Sequence, residues 1–204
     1  MRFSFLILAC LALAQCATSE DDLFQVGQSE DAFVIIGVAE AAANREGRYT
    51  VLWRRLDSTG AFTEPSGRTA FEAETNVRRT VRVRGVPGEF ETRRIEPGVY
   101  ALDSVFAVIR ERRVDYVANG VVHGPARPAF EVRPGEAVYL GIWQVDIEDA
   151  NAVVRPWRLS ETDLRLVLDN SDEVRGRVRV RQTHTREVAC EPRRLNSRSR
   201  RQVC

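Results

Sequence analysis

The chain of 204 residues contains no lysine; all thirty of its basic residues are arginine. Without an ε-amine, Schiff-base catalysis and the lysine-dependent Walker A phosphate loop are excluded. Histidine is scarce, with only His123 and His184. No H-E-x-x-H, paired C-x-x-C or G-x-S-x-G pattern occurs, which removes the usual signatures of metalloprotease, zinc-ribbon and hydrolase chemistry. Thirteen glycines and eight prolines are too few for a collagen-like or low-complexity chain. A net charge of +1 excludes a wholly polybasic protein, and neither a nucleic-acid partner nor a cofactor is expected. What is present, 44% hydrophobic and 29% charged residues, suffices for one packed domain behind a leader.

Met1-Arg2 is a short positive start, and Phe3 to Ala14 is apolar apart from Ser4. That stretch matches a signal-peptide core and falls short of the roughly 20 residues that span a bilayer. It ends in Leu13-Ala14-Gln15-Cys16, which resembles the lipobox of bacterial lipoproteins, with Gln15 where a small residue is usual. The resemblance implies a signal peptide over residues 1–15 and a lipid on Cys16 as the mature N-terminus. Ala17 follows instead of aspartate, which implies the periplasmic face of the outer membrane. The alternative is cleavage after Ala12-Leu13-Ala14, giving a secreted, lipid-free protein. The cysteines are Cys10, Cys16, Cys190 and Cys204. Lipid on Cys16 leaves Cys190 and Cys204 as one disulfide pair in an oxidising compartment, whereas a lipid-free product keeps Cys16 as a spare thiol.

Charge is divided along the chain. From Cys16 to Val174 nineteen arginines face twenty-seven acids, and from Arg175 to Cys204 ten arginines face only Glu187 and Glu191. Residues 16–31 hold five acids, no base and few apolar side chains, the composition of a flexible tether. A β domain is expected over 32–181 and an arginine-rich segment over 182–204. Ala32–Ala39 is a bounded apolar run suited to a strand buried on both faces. Further strand patterns recur every 8–12 residues, separated by turns such as Glu96-Pro97-Gly98 and Pro134-Gly135, with Asn119-Gly120 as the strongest hairpin signal. This spacing predicts a mainly β fold, a sandwich or barrel. The one helix expected starts at Ser160-Glu-Thr-Asp163, an N-cap followed by an acid, and buries Leu164, Val167 and Leu168.

Two segments echo one another: Glu96-Pro97-Gly98-Val99-Tyr100 and Arg133-Pro134-Gly135-Glu136-Ala137-Val138-Tyr139. The first resembles the PG-x-Y turn of transthyretin-like and carboxypeptidase-regulatory-like β-sandwiches, and the second the start of a later strand in secreted bacterial sandwiches. The resemblance implies an immunoglobulin-like or transthyretin-like β-sandwich that serves as a non-catalytic binding or structural accessory module.

Candidate chemistry is sparse. His123, beside Gly124-Pro125, is the residue a hydrolase on this fold would need, and an exposed loop position is the simpler reading. His184 lies among arginines. Asp146, Glu148, Asp149 and Asn151 make an oxygen-rich turn without the glycine and final glutamate of an EF-hand, so no metal site is expected. Trp53 and Trp143 fall inside apolar strands and belong to a core, while Trp157, between Arg155 and Arg158, suits an exposed contact. Arg175, Arg177, Arg179 and Arg181 alternate with Gly176, Val178 and Val180, so a strand would place the arginines on one face. Arg193, Arg194, Arg198, Arg200 and Arg201 crowd between Cys190 and Cys204. A bridge closing that loop would present these five arginines to anionic envelope groups, phosphates or carboxylates, or to another envelope protein.

Overall fold

A run of β-branched and aromatic residues forms the centre of the molecule. The computed structural model describes residues 23–41, 47–65, 67–111, 114–122 and 124–204; the leader, Cys16 and His123 lie outside the described residues. Strand β2 (Ala32–Glu40) is buried at every residue but its last. Both its faces are covered, which is why its sequence shows no polar alternation. On one side it pairs antiparallel with β5 (Glu89–Ile95), on the other parallel with β9 (Ala137–Glu148). Strand β10 (Asn151–Arg158) folds back on β9. Their turn holds Asp149 and Ala150 at φ 49° and 63°, the handedness that a two-residue hairpin loop requires. The oxygen-rich stretch from Asp146 to Asn151 is therefore a strand reversal.

A second sheet is built on β6 (Gly98–Glu111), which pairs with β3 (Arg48–Arg55), β7 (Val114–Val121) and β8 (Ala126–Val132). Strand β4 (Ala70–Glu74) adds outside β3. The two sheets form a β-sandwich whose interior joins Val34, Ile36 and Val38 to Val51, Trp53 and Leu102. Trp53 and Trp143 meet edge to face at 5.1 Å between ring centroids, both buried. A second core lies on the outer face of the first sheet. There Phe33, Ile35, Tyr139 and Ile142 are covered by Leu164 and Val167 of α1 (Glu161–Leu168) and by Phe24 of β1 (Phe24–Gln25). Ser160 caps the helix, its hydroxyl accepting from the Asp163 N–H. In the Pro97-Gly98 turn, the single Tyr100 hydroxyl proton is shared between the carbonyls of Glu96 at 2.8 Å and Arg68 at 2.9 Å, tying the corner to the strand it starts.

Four expectations are corrected. Asn119-Gly120 is not a hairpin turn; both residues lie inside β7, opposite Phe106 and Val105. A Cβ on Gly120 would overlap the Ala152 carbonyl, so the glycine serves close approach of β7 to β10 across the sandwich edge. Within the expected tether of residues 16–31, the described part from residue 23 is folded onto the domain. Phe24 is buried, and β1 pairs in parallel with β11 (Val174–Arg175). The reason is hydrophobic: Phe24 stacks against Phe33 at 5.1 Å, a burial that outweighs the local acidity. Finally, the alternating arginine stretch is two short strands. β11 is separated from β12 (Arg179–Val180), which joins β9, by Gly176 at φ 111°. The body also continues past residue 181, because β13 (His184–Glu187) extends the second sheet along β8.

Candidate functional site

Strand β9 changes partner halfway along its outer edge. Its first residues, Val138 and Tyr139, pair with β12, and its residues from Ile142 onward pair with β10. Gly141, at φ 78°, marks the change, and a Cβ there would sit 2.5 Å from the Arg158 carbonyl oxygen. Between the ends of β10 and β12 a crevice of about 340 Å³ opens over Leu140, Ile142 and Trp143. The β10 register slips between Pro156 and Arg158, and Trp157 is the extra residue of that bulge, a device that re-aims a side chain. Trp157 is 48% exposed and Leu159 42%. With Pro128 and Pro156 they give the crevice an apolar rim, and Arg181 and His184 supply polar groups. Trp157 is thus exposed, as expected, while His184 is a side chain on an edge strand.

Arg181 also borders a second cleft, of about 480 Å³, on the other side of β12. Arg177 and Arg179 line it, together with Glu131 at the end of β8 and with Arg133 and Glu136 flanking the Pro134-Gly135 turn. The floor is backbone. The Gly27 N–H donates to the Gly135 carbonyl at 2.8 Å, and a Cβ on Gly135 would meet Gly27 at 3.1 Å. Glu136 accepts from Arg181 and lies 3.8 Å from Arg179. Among the described residues, the guanidiniums of Arg133 and Arg177 have no partner.

The C-terminal arginines are distributed differently from the expectation. Cys190 and Cys204 form the disulfide, with Cα atoms 4.8 Å apart. Within its loop, β14 (Arg193–Arg194) pairs with β15 (Gln202–Val203). The five arginines do not form one anion-binding set. Arg193 donates to both Glu64 oxygens, at 3.0 and 3.1 Å. Arg201 donates to Glu72 at 2.6 Å and lies over the Phe106 ring. Glu64 and Glu72 engage these two, although the Arg201 Nε and Nη2 are buried without a hydrogen-bond partner, and Arg194, Arg198 and Arg200 are exposed at the surface. The loop is anchored at its end. The Cys204 N–H donates to Asp103 at 3.2 Å, and Arg54 donates to the Cys204 carbonyl at 3.2 Å.

Two arginines sequence reading passed over are the most buried in the described chain. Arg54 pairs with Asp103 at 2.7 Å, both withdrawn from solvent. Arg127 donates to the carbonyls of Leu102, Asp103, Val122 and Val188. Burial pulls the Arg127 guanidinium below the usual arginine range, yet four carbonyls satisfy its donors. Both stack on Phe62, at 4.8 and 5.5 Å. No sequence signal marks them, since each sits in an ordinary strand pattern. They lock the sandwich and leave no open face for a ligand.

A third charged group lines the edge where β4 faces β5. The Glu74 N–H donates to Glu91 at 3.1 Å, and Arg79 bridges both carboxylates. Burial raises the Glu74 carboxyl, but hydrogen bonds from Arg48 and Thr50 and the charges of Arg48 and Arg79 bring it below the ordinary range. At Glu91 burial prevails over Arg93 and Arg79 and the carboxyl is raised. Side-chain carboxylates here occupy the backbone donors of a sheet edge, which blocks edge-to-edge pairing. Among the described residues no cluster of three His, Cys, Asp or Glu side chains could hold a metal, and no helix is long and apolar enough to cross a membrane.

These features define a disulfide-closed β-sandwich with two adjoining surface crevices, one aromatic and one cationic. In comparisons with protein-family models, with curated proteins and with solved structures, the chain finds no match in any of the three.

Proposed function

We propose that this chain is a non-catalytic binding or accessory module of a bacterial cell envelope, held by a lipid on Cys16 at the periplasmic face of the outer membrane. The observation that carries the reading is the Cys190–Cys204 disulfide, because such bridges persist in oxidising compartments and are rare in the cytosol. The lipobox-like Leu13-Ala14-Gln15-Cys16 supports the same compartment and supplies the anchor. The two turns that resemble transthyretin-like sandwiches support an accessory role, and the crevices beside Arg181 offer surfaces for it.

Intact-mass measurement of the mature protein tests the anchor. The expected product starts at Cys16 and carries acyl mass, and Cys16→Ala, once its leader is shown to be cleaved, is released from membranes by buffer alone. An unmodified N-terminus following Ala14 would instead make the protein a secreted, lipid-free one. Retention of leader-cleaved Cys16→Ala in the membrane pellet would refute the anchor.

A further inference from the structure

We propose that the cleft between β12 and the Pro134-Gly135 turn binds a phosphate group. The inference deepens the reading of this chain as a binding module and does not depend on the lipid.

Chain geometry builds the cleft before any ligand arrives. A Cβ on Gly176 would lie 2.7 Å from the Val26 Cβ, so the backbone crosses directly over the turn that follows β1. That crossing brings Arg177 and Arg179 into the cleft that Arg133 also lines. Val178 and Val180 point inward to the second core, which fixes the register and turns the alternating arginines outward. Four guanidiniums line the cleft against two carboxylates, leaving it net positive. Of those carboxylates, Glu136 is engaged by Arg181. Arg133 and Arg177 line the same cleft and remain without a partner among the described residues.

A compact anion relieves the mutual repulsion of these groups, and guanidinium forks match phosphate and carboxylate oxygens. Guanidiniums supplied by two separate chain segments, Arg133 after β8 and Arg177 before β12, favour phosphate. A carboxylate offers two oxygens in one plane, while a phosphate monoester offers three acceptor oxygens directed to different sides. The floor of Gly27 and Gly135 carries no side chain to fill the space.

The test uses leader-cleaved Cys16→Ala protein, which removes the anchor's own affinity for membranes. It is titrated with inorganic pyrophosphate by calorimetry and sedimented with vesicles of phosphatidylcholine with or without phosphatidic acid, whose headgroup is a phosphate monoester. Binding of pyrophosphate identifies a soluble phosphate compound as the ligand class, and binding only to vesicles containing phosphatidic acid identifies a lipid headgroup. Arg133→Gln with Arg177→Gln is expected to weaken whichever is bound at least tenfold. Arg155→Gln, on β10 outside the cleft, leaves it unchanged. Glu131→Gln is expected to tighten binding severalfold, a gain that impaired folding cannot produce. Binding by neither probe, or parent-like binding by the double variant, would overturn the proposal. The intact mass of the parent protein decides the anchor separately.

Discussion

Glu74 shows how a buried charge is held in this fold. Its carboxylate is almost fully withdrawn from solvent, yet it accepts from Arg48 at 2.5 Å and from Thr50 at 3.0 Å and pairs with Arg79. With its folded pKa lowered, the group contributes stability that is complete above its unfolded pKa and lost as pH falls through the folded value. Glu91, raised by its burial, has the opposite sign and favours the fold as acid is added. Glu74→Gln removes charge-assisted hydrogen bonds, each worth about 1.5–3 kcal/mol. Both arginine partners are half exposed and regain water, so about 2 kcal/mol is expected in urea unfolding at pH 7. The gap between variant and parent should shrink at pH 3, and a gap independent of pH would show that the carboxylate's charge is not what stabilises.

Among the elements, β7 has the narrowest fit. Gly120 faces the Ala152 carbonyl with no room for a methyl group, so Gly120→Ala must push β7 away from β10. Overpacking of this kind costs about 1–3 kcal/mol, and the backbone position of the obstacle puts the expected loss near the top of that range. The urea midpoint should fall with the slope unchanged, and an unchanged midpoint would remove Gly120 from the role assigned to it. The same residue marks where sequence reading reached its limit. Asn-Gly is read as a turn from local preference alone, and a strand that needs glycine for close approach looks identical until its neighbour is known. Phe24 is a similar case, because the apolar site that buries it, against Phe33 and beside Val174, exists only in the fold. Where the signal was local, it was legible: the doubly buried run of β2, the Ser160 cap, and the two core tryptophans. At the site, Trp157 and the alternating arginines were visible in the chain. Arg133 and Glu136 were not, since only the fold brings their turn beside β12.

For the whole molecule, a near-zero net charge conceals an internal division. The acidic body meets the basic C-terminal part through Arg181–Glu136, Arg193–Glu64 and Arg201–Glu72, and the disulfide closes that part on itself. Replacing Cys190 and Cys204 together with serine should lower the unfolding free energy by about 3 kcal/mol, the chain-entropy value for a loop of this size. Parent and variant with equal stability would contradict that account, as would two titratable thiols in the unreduced parent. The parallel pairing of β2 with β9 carries a consequence in time. Phe33 lies beside Ala137 in the central sheet, and Phe24 beside Val174 in the small sheet that covers it, so neither can close until most of the polypeptide exists. Contacts this distant in sequence slow folding. A chain threaded through a translocation pore amino end first would therefore remain pliable during transit, and would acquire its shape only on the far side.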